Sequence, residues 1–295
     1  MLHAFLGGRA VALRIGADRW PLPRRVGNVS ITRTSRWCEP GDAGRRVSRV
    51  RDVEIHEIGS WTVLRGGGHC LGVSASPPLR IELPSTLDAT DEWHELVDTA
   101  LPALSSMRGE TVFHTACLVD GSRAILVFGE SGSGKSTAAS AWVGAGGAFV
   151  GDDWCTVSLR GRSAWARRGS SVIRTRLEAP RGLDFELSQI KLQTRTKIWH
   201  WFGATPPTPA RLEARVVGVL ALIGDEGVAG PEGGNHSCRA RILLSSLVNV
   251  RPNDPGRWRS HAAVFEVIGG LPWAFGVPRD TPAAVAKAKR LLLGG

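Results

Sequence analysis

Apolar and polar positions alternate with a period of two through much of the first third of the chain. Residues 50–58, Val-Arg-Asp-Val-Glu-Ile-His-Glu-Ile, predict a strand with one buried face. Residues 61–64 and 69–73 predict a hairpin across Arg65-Gly66-Gly67-Gly68. Residues 10–15, 29–32 and 79–83 add short strands, and 36–48 read as a loop from their Pro, Gly and charges. Between 84 and 107 the period lengthens. Asp91, Glu92 and Glu95 lead a helical pattern with Trp93, Leu96, Val97, Ala100, Leu101 and Leu104 on one face, and Pro102 as its expected breaking point. A smaller β-rich region thus occupies residues 1–108 and ends in a helix, and a second region covers 109–295.

That second region mixes the two periods. Residues 111–119 predict a strand containing His114, and Asp120-Gly121 turns it into a hairpin with 123–128. A helix follows from Lys135 to Ala145 and stops at Gly146-Gly147. Residues 148–151 form a short strand delivering Asp152 and Asp153 at its end, and 154–159 continue or pair with it. An arginine-rich stretch follows at 160–176. Residues 191–202 are basic and aromatic, and 205–209 form a proline-rich turn. Residues 215–223 predict a strong strand, 224–237 a Gly-rich surface loop and 241–250 a helix. Residues 264–268 read as a strand, 269–275 lead into a further extended stretch, and 281–293 form a last helix with Thr281 as N-cap and Pro282 in its first turn. The expected class is α/β with a mixed sheet.

Composition narrows this modestly. Hydrophobic residues make up 42% of the 295 and charged residues 22%, enough for a substantial core and too apolar for a disordered chain. The net charge of +10 fits an acidic or phosphorylated partner, and equally a solvated basic surface of biased composition, since tyrosine is absent. Five cysteines stand without a C-x-x-C pair, and eight histidines without metal-binding spacing. These points argue against a disulfide framework or a zinc site. No apolar run has the length of a membrane span, and Arg9 and Arg14 interrupt the N-terminal apolar residues, so a cytoplasmic, non-membrane protein is expected. No nucleic-acid-binding module is recognisable, and an oligomer is neither required nor excluded.

The candidate chemistry centres on residues 129–136. Gly129-Glu130-Ser131-Gly132-Ser133-Gly134-Lys135-Ser136 matches G-x-x-x-x-G-K-[ST], the P-loop or Walker A pattern, with an apolar strand before it and a helix after. Glycines free the backbone to turn successive N–H groups toward phosphate oxygens, and the helix adds the positive end of its dipole. Lys135 supplies a charge for the outer phosphates, and Ser136 a hydroxyl for magnesium. A carboxylate at the end of a neighbouring strand ordinarily holds that metal. With two, Asp152 and Asp153, on opposite faces of a strand, one serves the metal and the other takes a proton from an acceptor hydroxyl. Taken alone, His114 on an apolar strand reads as a core residue more readily than as a catalyst.

Phe113-His114-Thr115-Ala116-Cys117-Leu118-Val119-Asp120-Gly121, then GESGSGKST, then FVGDD resemble the HPr kinase/phosphorylase family and its shorter kinase relatives over about residues 111–159. The resemblance implies a P-loop kinase core of HPr-kinase type that moves the γ-phosphate of ATP to a serine-type hydroxyl of a protein or peptide. Among such relatives the acceptor is in some cases a ribosomal precursor peptide, including lasso-peptide precursors, and that acceptor is expected here. By the same resemblance Gly129 to Thr137 bind Mg-ATP, Lys135 and Ser136 contact phosphate and magnesium, Asp152 is the base, Asp153 lies by the metal and His114 assists. Leu177-Glu178-Ala179-Pro180-Arg181-Gly182-Leu183-Asp184 is similar to a family motif whose glutamate helps hold magnesium, with one extra residue and no final glycine. Glu178 is the corresponding candidate. Two other classes remain open: a nucleotide-hydrolysing switch, although neither an L-S-G-G-Q nor an N-K-x-D stretch is present, and a non-catalytic nucleotide-binding scaffold.

Overall fold

A computed structural model describes residues 2–6, 9–13, 25–26, 29–34, 44–50, 53–66, 69–74, 79–84, 92–167, 169, 172–176, 190–193, 197–201, 213–223, 235–249, 254–277 and 280–293. The chain divides into two units. The first comprises Met1–Glu110 with Val248–Trp258, the second Thr111–Leu247 with Arg259–Gly295.

In the first unit, β1 (Leu2–Leu6) and β2 (Arg9–Leu13) form a hairpin of their own. The strands β3 (Arg25–Val26), β4 (Val29–Thr34), β5 (Arg45–Val50), β6 (Val53–Ile58), β7 (Trp61–Gly66), β8 (His69–Ser74) and β9 (Leu79–Pro84) make one sheet in the order β3-β4-β9-β8-β7-β6-β5. All its pairs are antiparallel except β4 with β9. The expected 61–64/69–73 hairpin is β7–β8. The expected strand at 50–58 is instead the second arm of a β5–β6 hairpin, whose first arm reaches into the region read as loop. Arg45, Arg46 and Arg49 mask the apolar pattern of that arm. Ile55, Val63, Leu64, Leu71, Val73 and Ile81 are buried.

Helix α1 (Glu92–Met107) packs against β8 and β9 and runs through Pro102 unbroken. Proline costs a helix one hydrogen bond and some crowding. Here Ala100, Leu101, Ala103, Leu104 and Met107 are all buried around it, and that packing prevails. The helix carries no basic residue in its last turn. Its terminal carbonyls, Ser106 O and Met107 O, accept instead from the Arg257 guanidinium, which Asp254 Oδ2 holds at 3.2 Å.

The second unit is a mixed sheet with helices. Its strands are β10 (Thr111–Phe113), β11 (Ala116–Asp120), β12 (Arg123–Gly129), β13 (Ala148–Gly151), β14 (Cys155–Arg160), β15 (Ser163–Arg167), and then, in a separate three-stranded sheet ordered β16-β18-β17, β16 (Val172–Arg176), β17 (Ile190–Gln193) and β18 (Lys197–Trp201). Strands β19 (Glu213–Leu222) and β20 (Trp273–Gly276) complete the main sheet, ordered β10-β14-β15-β19-β12-β11-β13 with β20 on β19. The helices are α2 (Lys135–Gly144), α3 (His236–Ser246), α4 (Pro255–Gly269, of which the residues from Arg259 belong to this unit) and α5 (Thr281–Leu293).

The strand order requires this sheet to curl. Strands β10 and β11 are consecutive along the chain but lie near opposite ends of the order, as do β13 and β14. Each pair is joined by a few residues only, so the two ends must meet. The register shows how. Phe113 pairs with Cys155, and Cys117 with Gly151. Four residues separate these pairs on either chain, so one antiparallel ladder continues unslipped across a gap at 114–116 and 152–154.

Helix α2 packs Ala138, Ala139, Trp142 and Val143 into a core shared with Leu118, Ile125, Val127, Phe149 and, from α5, Ala284, Ala288 and Leu292. Trp142 Nε1 donates to Val119 O at 3.1 Å. Burying each large apolar side chain contributes about 1.5–3 kcal/mol.

Three expected elements differ. Residues 264–268 are not a strand but the end of α4. The run Val-Phe-Glu-Val-Ile is β-branched and short, and its period is ambiguous alone; the fold buries His261, Val264 and Ile268, spaced three and four apart on one helix face. The helix expected at 241–250 begins earlier, at His236, where Asn235 Oδ1 accepts from the Cys238 amide at 2.9 Å. The cap of the last helix is Asp280, whose Oδ1 accepts from the Ala283 amide at 3.1 Å, so Thr281 is its first helical residue.

Candidate functional site

Strand β12 is apolar and fully buried from Ala124 to Phe128 because it lies between two neighbours, β11 antiparallel and β19 parallel. It ends at Gly129, where the chain turns into α2. Ser133 N donates to Glu130 O at 3.1 Å within that turn. Gly132 and Gly134 have φ of 84° and 101°, in the left-handed region where a side chain is disfavoured. At Gly129 the restriction is space: a Cβ would lie 2.4 Å from Ser133 Oγ and 2.7 Å from Leu222 O of β19.

Helix α2 starts at Lys135. Gly134 caps it without a side-chain hydrogen bond, and no acidic residue stands in the first turn. Gly134, having no side chain, offers the first amides of the helix no acceptor of its own. Lys135, 5% exposed, donates from Nζ to Gly129 O at 2.7 Å and Glu130 O at 3.0 Å, which holds the ammonium folded over the turn. Ser136 is half-buried on the first turn, and Ser131 is exposed. Left-handed glycine conformations, a helix start whose cap residue has no side chain, and a buried lysine come together on one turn.

The register carries His114 and both aspartates to the same edge of the sheet. Leu222 of β19 pairs with Gly129, and Gly276 of β20 with Leu222, so three parallel strands end level. Ala116 pairs with Val127, which puts His114 level with Gly129 by continuation. Cys117 pairs with Gly151, so Asp152 and Asp153 leave β13 at nearly the same height.

Two expectations about these residues change. His114 is not inside a strand. It sits in the gap between β10 and β11, where its amide donates to Ser246 O at 2.7 Å. The apolar pattern on both sides is continuous, and only the exchange of ladder partners interrupts it. The aspartates also do not alternate across a strand. Strand β13 ends at Gly151, and Asp153 has φ of 71°, a left-handed conformation that Asp tolerates better than most residues. That bend leaves Asp152 1% exposed and Asp153 half-buried.

A magnesium ion takes few protein ligands and keeps water and phosphate oxygens. Ser136 and Asp153 are the described residues of suitable chemistry, while Glu178 lies outside the described residues. Among the described residues no three His, Cys, Asp or Glu side chains are grouped to hold a metal. Cys117 and Cys155 are buried on either side of the gap. A hydrogen bond with Cys155, then burial, pushes the Cys117 thiol well above its ordinary range.

Two arginines of the arginine-rich stretch have described partners. Arg160 and Arg167 reach Glu213 at 2.5 and 3.7 Å, and Arg160 stacks over Trp165 at 4.9 Å. Sequence inspection passed over Thr115, a fully buried polar residue in the gap whose only visible signal was a hydroxyl within an apolar run. No helix among the described residues is long and apolar enough to cross a membrane.

No protein-family model matches the chain, and no curated protein matches it. Among solved structures it is similar to the Hpr(Ser) kinase/phosphatase from Coxiella burnetii, at 15% identity and a TM-score of 0.34, over 62% of this chain and 99% of that one. Similarity at this level does not place the chain in a family.

Proposed function

We propose that the second unit is a Mg-ATP-dependent kinase transferring the γ-phosphate to a serine-type hydroxyl of a protein or peptide. The observation that carries this is the convergence, on one edge of the sheet, of the Gly129–Ser136 turn with its uncapped helix and the gap that bears His114, Asp152 and Asp153. Bound Mg-ATP would supply the phosphoryl group and neutralise its charge. The backbone of residues 129–134 and the start of α2 hold the phosphates, with Glu130 and Thr137 at the two margins of the cradle. Lys135 moves its ammonium from the Gly129 and Glu130 carbonyls to phosphate oxygens. Ser136 and Asp153 hold the metal. Asp152, buried where the chain leaves β13, orients the acceptor hydroxyl and takes its proton, and His114 contributes at the acceptor or the phosphate. A ribosomal precursor peptide of the lasso type is the acceptor we favour, and a carrier protein the next.

The test is phosphate transfer from Mg-ATP to candidate peptides, read by mass spectrometry. Asp152→Asn should abolish transfer and leave nucleotide affinity within about twofold, because it removes the proton acceptor and keeps the shape. Full activity in that variant would remove Asp152 from the base role. Rapid hydrolysis without any acceptor would favour a switch, and binding without turnover a scaffold.

A further inference from the structure

A buried threonine hydroxyl fastens the gap that carries His114. Thr115 is fully buried, and its hydroxyl lies 2.8 Å from Val127 O and 3.0 Å from Ala116 O. A hydroxyl has one proton, so the two carbonyls share it. Val127 stands two residues before Gly129 on β12, and Ala116 is its ladder partner. The bond therefore ties the gap to the strand that leads into the Gly129–Ser136 turn, at the point where the chain passes from the β10–β14 ladder to the β11–β12 ladder. On its other side the gap is held by His114 N to Ser246 O at 2.7 Å and by the isolated bridge between Phe113 and Leu247. A threonine hydroxyl in such surroundings is more than filler. Valine would match its shape and supply more apolar surface, whereas the hydroxyl would be costly to bury without these acceptors.

We infer that Thr115 is a positioning residue: its hydroxyl sets the height and direction of His114 against the turn at Gly129, and so against the bound nucleotide. The inference rests on the nucleotide reading for its consequence, but not for the placement of His114 itself. Among the described residues the Thr115 hydroxyl donates to backbone carbonyls, and it acts through its neighbour.

The test uses the full chain with histidine labelled at Cε1, followed by NMR with and without Mg-ATP. His114 is assigned with His114→Gln, and exposed His236 on α3 serves as the internal control. Thr115→Val should displace the His114 signal in the free protein and reduce the response of that signal to Mg-ATP, while nucleotide affinity stays within about twofold. Thr115→Ser should restore both, and His236 should not move. If the valine variant fails to fold, Thr115→Ala takes its place with the same expectations. A His114 signal identical in the valine and wild-type proteins would overturn the inference. Should Mg-ATP leave every signal and the thermal midpoint of the wild type unchanged, the nucleotide reading fails; displacement of His114 in the free protein then still decides whether Thr115 positions it. With an acceptor in hand, misplacement of His114 should appear as a rate loss of about 10- to 100-fold at unchanged KM for ATP.

Discussion

Gly129→Ala is the sharpest perturbation the structure offers. The added Cβ would lie 2.7 Å from Leu222 O, against an ordinary contact of 3.4 Å or more, so 3.4 − 2.7 = 0.7 Å must be found. The contact with Ser133 Oγ, at 2.4 Å, can be relieved by rotating that side chain, although Ser133 Cβ remains at 3.1 Å. The Leu222 carbonyl cannot yield in the same way. It belongs to β19, paired on one side with Gly129 and on the other with Gly276 of β20. Moving it disturbs two parallel ladders, and overpacking of this kind costs about 1–3 kcal/mol. The substitution should therefore lower unfolding free energy by about 2 kcal/mol and, by displacing the turn, weaken Mg-ATP binding by about tenfold or more. Gly121→Ala is the matched control. At φ of 57° with nothing near its would-be Cβ, it should cost only the left-handed penalty of about 1 kcal/mol and leave nucleotide affinity alone. Urea unfolding followed by circular dichroism measures the first quantity, and nucleotide titration the second. A Gly129→Ala protein within about 0.5 kcal/mol of wild type, binding Mg-ATP normally, would refute the steric argument and the placement of β19 beside the turn.

Two further outcomes are expected. Arg257→Ala should destabilise the first unit by about 1.5–3 kcal/mol, since charged hydrogen bonds to the last carbonyls of α1 are lost; Arg257→Lys should recover only part, because a single ammonium cannot span both carbonyls, and thermal unfolding of the three proteins checks the order. Ser133→Ala should raise the stability of the free protein by about 1 kcal/mol, because the Ser133 hydroxyl is buried with no hydrogen-bond partner among the described residues; a lower melting temperature in that variant would show the hydroxyl is satisfied in solution.

The parts of this molecule that local chemistry dictates were legible in the chain. The 129–136 turn needs glycines and a lysine at fixed spacing, and the strand before it is apolar because both its neighbours bury it. Helix α2, its stop at Gly146, and the hairpin across Asp120-Gly121 are similarly local. Errors fell where a short segment carries two periods. Val264–Ile268 is as good a strand as a helix turn in isolation, and only burial of His261 and Ile268 on one face decides it. Pro102 argues for a break that packing around α1 overrules.

Sequence alone therefore determined the Gly129–Ser136 turn, since glycine conformation and lysine charge are properties of neighbouring residues along the chain. Tertiary structure decided the rest. The gap at His114, the left-handed turn at Asp153 and the Thr115 bond to Val127 arise because a curled sheet has to exchange ladder partners between strands remote in sequence. No local pattern records that exchange: the residues on either side of it remain as apolar as an uninterrupted strand would be.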